Sequence, residues 1–262
     1  MMLHECKIPN YMLIGVRKGA TSWIWKQLNQ HPDIETYPQK EIHFFNKFYK
    51  RGISWYRKQF KWIKKIVIDT TPDYFEEICA ERIKKDFPNV RMMVSLRNPI
   101  ERAFSHYKFA HFLNATKSNF KNLWKKDWMQ IRTRGLYDKH IHCFHNRFPK
   151  ENLFIMFNDD IKTDSDNFVT KMYEYIGVQK IENEFQNMRW MPGVNPCWIK
   201  IEGKNIDYKK RHEKYKEYNA KKIMCDDDFK MMCDYYAESV QNLGKTVNRD
   251  FSSWLKKENI ET

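Results

Sequence analysis

Four short apolar runs punctuate the chain: YMLI at 11–14, IVI at 66–68, MMVSL at 92–96 and LFIMF at 153–157. Each is nearly continuous rather than alternating, as strands buried on both faces of a parallel sheet should be. Between and after them, apolar residues recur at helical spacing over 21–30, 76–87, 99–113, 137–147 and 165–177. Strands alternating with helices predict an α/β fold, a parallel β-sheet flanked by helices. A final helix is expected over 226–243, opening on Asp226–Asp228 as its cap. Pro72, Pro88, Pro99 and Pro149 fall at joints between these elements. Residues 187–208 hold Pro192, Gly193, Pro196 and Gly203 and read as a long loop of the kind that often serves as a lid. With no repeat, low-complexity tract or linker, the expectation is a single domain over residues 1–262.

Charge narrows the partners. The formal net charge is +14, which suits an anionic partner. Nucleic acid is the generic reading, but no zinc finger, RNP motif or basic heptad supports it. A polyanionic cofactor, with or without an acidic glycan acceptor, accounts for the charge equally well. The cluster Lys209, Lys210, Arg211, Lys214, Lys216, Lys221 and Lys222 reads as solvated surface. No run of apolar residues is long enough to span a membrane, and the opening MMLHECKIPNY lacks the apolar core of a signal peptide. The expectation is a soluble, cytoplasmic protein. Cys6, Cys79, Cys143, Cys197, Cys225 and Cys233 form no C-x-x-C or zinc spacing, so they are expected as reduced thiols, with one disulfide from Cys197 to a later cysteine as the alternative.

The candidate chemistry begins where the first strand ends. Gly15, Arg17, Lys18, Gly19, Ala20, Thr21 and Ser22 form a compact loop running into a helix. Backbone N–H groups and the helix dipole make such a junction an anion site, and Lys18, Thr21 and Ser22 add a cation and hydroxyls. Lys18 precedes Gly19, so the loop is not a Walker A motif, nor is it G-x-G-x-x-G. Arg97 follows the 92–96 strand and offers a fork of donors for a phosphate, with Ser105 two helical turns on. In KEIHFFN, Glu41 is a candidate general base. Its ordinary pKa is about 4.3, and burial beside Phe44 and Phe45 is expected to raise it. On an extended segment His43 would share a face with Glu41, as its partner or as a rival base.

Taken together, YMLIGVRKGATSWIWKQLNQHPDI (11–34), KEIHFFN (40–46), DTTPDYF (69–75), VSLRNPIERAFSHY (94–107) and RDFSSWL (249–255) resemble the sulfotransferases that use 3′-phosphoadenosine 5′-phosphosulfate (PAPS). The likeness is strongest to the branch holding the heparan sulfate sulfotransferase domains and their bacterial relatives. It implies a P-loop nucleotide-kinase-like sulfotransferase fold, PAPS as cofactor with 3′-phosphoadenosine 5′-phosphate (PAP) as product, and no metal. It implies Lys18 at the leaving group and Arg17, Gly19, Ala20, Thr21 and Ser22 as the phosphosulfate cradle. Glu41 would be the base, and Arg97 and Ser105 would hold the 3′-phosphate. Tyr137, in RGLYDKHI, matches a position near the cofactor, and Gly203 and Lys204, in IEGKNI, are the nearest match to the family's C-terminal cofactor loop. The acceptor implied is a hydroxyl, or an amine, of a carbohydrate or small molecule, with Trp23, Trp25, Trp190 and Trp198 as candidate sugar platforms. One departure stands out: many glycan sulfotransferases have lysine where this chain has Thr70, and Lys40 is the nearest substitute cation. The competing readings are a kinase-like phosphotransferase, against which the missing Walker A lysine and magnesium aspartate count, and a non-enzymatic polyanion- or nucleic-acid-binding protein.

Overall fold

A computed structural model describes residues 9–182, 217–218 and 223–260. In chain order these form β1 (Tyr11–Gly15), α1 (Thr21–Gln30), β2 (Ile34–Thr36), α2 (Ile53–Arg57), β3 (Ile66–Asp69), α3 (Glu77–Asp86), β4 (Arg91–Leu96), α4 (Pro99–Phe112), α5 (Phe120–Lys125), α6 (Tyr137–His145), β5 (Leu153–Phe157), α7 (Asn158–Thr163), α8 (Ser165–Ile176) and α9 (Asp226–Val247). The chain divides into two compact units. The first comprises Met1–Leu96 with His142–Trp190, the second Arg97–Ile141 with Met191–Thr262.

The first unit holds the sheet. Its strand order is β2-β3-β1-β4-β5, and every pair is parallel. On one face Tyr11, Leu13, Ile66, Ile68 and Met93 pack against Trp23, Ile24 and Leu28 of α1 and Phe168, Val169 and Met172 of α8. The alternate residues Met12, Ile14, Val67, Met92 and Val94 are buried as well. Burial on both faces is why the strands read as unbroken apolar runs. Each such side chain contributes about 1.5–3 kcal/mol through the area it removes from water. Two tyrosines tie α1 and β1 to α8: Tyr173 Oη donates to the Gln27 carbonyl at 3.0 Å, and Tyr11 Oη to the Ile176 carbonyl at 2.7 Å.

The predicted strands and helices reappear within a few residues, and α1 spans the residues expected. The sequence reading lacked β2, which has three residues, and α2, α5 and α7, which have five or six. None is long enough to display a period. β2 is held instead by Glu35, whose carboxylate accepts from the backbone N–H groups of Lys61, Trp62 and Ile63. The final helix also differs. Cys225 is its N-cap and makes no side-chain capping bond, so Asp226–Asp228 occupy the first turn, where they favour the helix dipole instead of capping it. The helix runs past Gly244 to Val247 and ends on Asn248 in the left-handed conformation.

In the second unit Asn98 caps α4. Its Oδ1 accepts from the Ile100 N–H, Pro99 fills the first helical turn, and its amide donates to the Trp254 carbonyl at 3.0 Å. That bond gives the RDFSSWL segment its anchor. Cys79, Cys143, Cys225 and Cys233 carry free thiols, while Cys6 and Cys197 lie outside the described residues. Among the described residues no helix is long and apolar enough to cross a membrane.

Candidate active site

The loop between β1 and α1 is built by close approach. The Val16 N–H donates to the Ser95 carbonyl, and the Gly19 N–H to the Val16 carbonyl. A Cβ at Gly19 would overlap that Ser95 oxygen, so only glycine lets the loop lie against β4. Lys18 and Ala20 both take positive φ, 73° and 63°. Ala20 is the N-cap of α1 and has no side chain with which to cap it, and the first turn holds no acid. The positive end of the helix is therefore left for an anion. Arg17 turns its guanidinium onto the buried Asp73, with Nε 2.9 Å from Oδ1 and the second nitrogen on Oδ2. Its charge is committed to that carboxylate, so it orders the loop by tying it to the segment after β3.

That segment, DTTPDYF, shapes the KEIHFFN stretch. Thr70 Oγ1 donates to the Lys40 carbonyl at 3.0 Å. Thr71 Oγ1 accepts from the Ile42 N–H, and Tyr74 Oη from the Phe44 N–H at 2.7 Å. Phe44 stacks on Tyr56 and Phe45 packs edge-on to Tyr74, so the two phenylalanines wedge the stretch into the core. Thr71 and Tyr56 both donate to Asp69, whose carboxyl is pushed up to about 6 because burial outweighs the hydrogen bonds that favour its charge.

Lys40 and His43 each adopt positive φ, so the stretch is kinked rather than extended as expected. It nevertheless brings Glu41 and His43 together, with His43 Nε2 3.3 Å from Glu41 Oε2. His43 Nδ1 is 3.8 Å from Asp73 Oδ2, which puts the imidazole between two carboxylates. Lys40 Nζ lies 2.9 Å from Glu41 Oε1 and 3.3 Å from Thr21 Oγ1 of the cofactor loop. Burial alone would raise the Glu41 carboxyl, but Lys40 and the His43 hydrogen bond overcome it and hold the group at about 2. The expectation that burial would raise Glu41 is thus corrected: the lysine one residue before it reverses the sign.

In the second unit, Arg97 directs Nε and one terminal nitrogen to Glu101 Oε2, both at 2.8 Å. Tyr137 is buried and donates its hydroxyl to the Arg97 carbonyl at 2.7 Å, which positions the arginine's backbone. Ser105 is buried on α4. Lys108, a turn beyond Ser105, is brought down to about 8 by burial and by the like charge of Arg97. Arg102 is fully buried and donates to the Ile131 carbonyl. Trp23 and Trp25 are buried, which removes them as sugar platforms. Gly203, Lys204, Trp190 and Trp198, with the whole 187–208 loop, lie outside the described residues. Sequence reasoning missed Asp73 and the Thr70 bond to Lys40. The DTTPDYF motif marked the place, but only the fold shows that its side chains grip a stretch thirty residues away.

Comparison with known proteins follows the same lines. A family model described as "Sulfotransferase domain" matches residues 9–244. Human heparan sulfate glucosamine 3-O-sulfotransferase 6 is 28% identical over 210 residues, 75% of this chain and 60% of the relative. Mouse heparan sulfate glucosamine 3-O-sulfotransferase 5 is 32% identical over 184 residues, 62% of this chain and 52% of the relative. The chain therefore spans about half to three-fifths of these relatives' length. A membrane-associated sulfotransferase of Dictyostelium discoideum is 30% identical over 63% of the chain and 38% of its own length. Among solved structures, a sulfotransferase from Alicyclobacillus acidocaldarius superposes with a TM-score of 0.73 at 21% identity, covering 95% of this chain and all of the other. A mouse sulfotransferase complexed with PAP gives 0.60 at 14% identity, over 91% of this chain and 88% of the other. These likenesses show the fold.

Proposed function

We propose that this chain, which belongs to the sulfotransferase domain family, moves a sulfuryl group from PAPS to a hydroxyl of an acidic carbohydrate or small-molecule acceptor. The observation that carries the proposal is the joining of an uncapped, glycine-tight anion loop to the Glu41–His43 pair through the buried Lys40. The residues fit a phosphosulfate. α1 presents its positive end without a cap, and Lys18, Thr21, Ser22 and Lys40 supply cationic and hydroxyl donors there. The hydroxyl of Ser95, the residue whose carbonyl lies against Gly19, is buried without a partner among the described residues. When bound, PAPS supplies an activated sulfuryl group.

The chain's residues have separable tasks in this reading. Gly19, Ala20, Thr21 and Ser22 hold the phosphosulfate, and Arg17 keeps the loop in place through Asp73. Lys18 stabilises the charge that grows on the departing phosphate. Glu41 takes the proton of the acceptor hydroxyl, with His43 orienting it. Arg97 and Ser105 hold the 3′-phosphate, the feature that separates PAPS from ATP-like nucleotides. An acidic acceptor is favoured by the segment after Phe45: Lys47, Lys50, Arg51, Lys58, Lys61 and Lys65 are exposed, and no Asp or Glu falls between Glu41 and Asp69. Aromatic residues are interleaved, and Arg51 lies over the rings of both Phe48 and Trp55. The reading carries with it a cytoplasmic setting, in which the thiols of Cys79 and Cys143 stay reduced.

Calorimetry tests the cofactor assignment. PAP should bind at least about 10-fold more tightly than AMP or ADP, the scale of one charge-assisted phosphate contact. Arg97→Ala should erase that preference. Equal affinities for the three nucleotides would contradict the assignment.

A further inference from the structure

We propose that Lys40 is a shared cation: it holds Glu41 while the cofactor loop is empty and passes to the phosphosulfate when the loop is filled, so that Glu41 becomes basic only with the donor in place. The inference rests on the sulfotransferase reading, which counts Lys40 among the phosphosulfate donors, and adds that the same cation governs Glu41.

Three observations carry it. First, among the described residues the Lys40 ammonium reaches both Glu41 Oε1, at 2.9 Å, and Thr21 Oγ1, at 3.3 Å. Thr21 opens α1 and faces the anion end of that helix, so the ammonium already touches both places it would serve. Second, the lysine is only 1% exposed, so water screens neither contact. Third, its backbone is fixed independently of its side chain. Lys40 sits at φ 73°, a left-handed conformation that lysine rarely adopts, and the Thr70 hydroxyl secures its carbonyl. Transfer between the two partners then needs only a change of rotamer, with no movement of the chain.

The electrostatics give the transfer a consequence. Among the described residues, charged groups facing Glu41 include Lys40, His43 and Asp73, and Asp73 is itself paired with Arg17. Burial pushes the Glu41 carboxyl up, while Lys40 and His43 bring it to about 2. So acidic a carboxylate is a poor proton acceptor for an alcohol. Once Lys40 leaves, its charge no longer offsets the burial and the Asp73 charge that raise the Glu41 carboxyl, and the affinity of Glu41 for a proton rises. In the reaction the acceptor oxygen forms a bond to sulfur and its proton passes to Glu41. The sulfur–oxygen bond to phosphate breaks, and its electron pair stays on the phosphate, where Lys40 and Lys18 meet the new charge. Atoms and charge balance without a further reactant.

The test follows the Glu41 carboxyl by carbon NMR in glutamate-labelled full-length protein between about pH 4 and 7, a window around the ordinary carboxylate range. PAP is the probe. In the free wild type the Glu41 signal should stay flat, and with saturating PAP it should titrate inside the window. In Lys40→Met it should titrate with or without PAP, and PAP should bind about 10-fold more weakly. Lys40→Arg, which keeps a cation, should restore the wild-type pattern and so exclude a misfolding effect. A Glu41 signal that stays flat with PAP bound, or that stays flat in Lys40→Met, would make Lys40 a fixed counter-ion and overturn the proposal. Failure of PAP to bind the wild type at all would overturn the sulfotransferase reading itself, and this inference with it.

Discussion

Glu41→Gln should bind PAP more tightly than the wild type, because no carboxylate then competes for Lys40, and should turn over about 10²–10⁴-fold more slowly, the contribution of a positioned general base. Glutamine keeps the shape of the side chain and can still accept from Lys40 and His43, but it cannot take up the acceptor's proton. Glu41 is the carboxylate that Lys40 and His43 both contact, at 2.9 and 3.3 Å, and it stands next to the loop through Thr21. His43 is the competitor, since its imidazole lies between Glu41 and Asp73. The single-turnover rate and PAP calorimetry of Glu41→Gln and His43→Ala decide between them. If His43→Ala abolishes turnover while Glu41→Gln preserves it, the histidine is the base and Glu41 orients it.

The second large effect is expected at Lys18. Lys18→Ala should lower kcat/KM by about 10²-fold or more, the scale of one preorganised group that stabilises developing charge. The backbone gives the reason for singling out this residue. Lys18 is held at φ 73°, a conformation that glycine or asparagine adopts more cheaply, so the chain retains a strained lysine where an easier residue would build the same loop. Alanine has the same Cβ and meets the same strain, so the substitution removes the ammonium and little else. Thermal unfolding should therefore be near wild type while turnover collapses. Near-normal turnover would mean that Lys18 only decorates the loop.

The reach of the sequence can be seen in particular residues. The loop from Gly15 to Ser22 was legible because a strand, a glycine and a helix start each leave a local signal, and α1 begins where expected. The nearness of Glu41 and His43 was legible too, though it arises from left-handed backbone at Lys40 and His43 rather than from an extended strand. What was not legible depends on groups far apart in the chain. Arg17 meets Asp73 across 56 positions, and Thr70 meets Lys40 across 30. The sign of the Glu41 shift is a case of this kind. Aromatic neighbours in the sequence argue for a raised pKa, whereas the direction of the Lys40 side chain, which only the fold supplies, reverses it. β2 was missed for a different reason. Its three residues carry no period, and it is fastened by a carboxylate reaching three backbone amides at 61–63.

Transfer of a sulfuryl group from PAPS to an acidic acceptor is read out by incubating the purified chain with sulfur-labelled PAPS and matched acidic and neutral glycans and phenols. Label should appear in an acidic acceptor with release of an equal amount of PAP, and both should be lost with Lys18→Ala. PAPS left intact with every acceptor, or label passing to neutral acceptors as readily as to acidic ones, would contradict it.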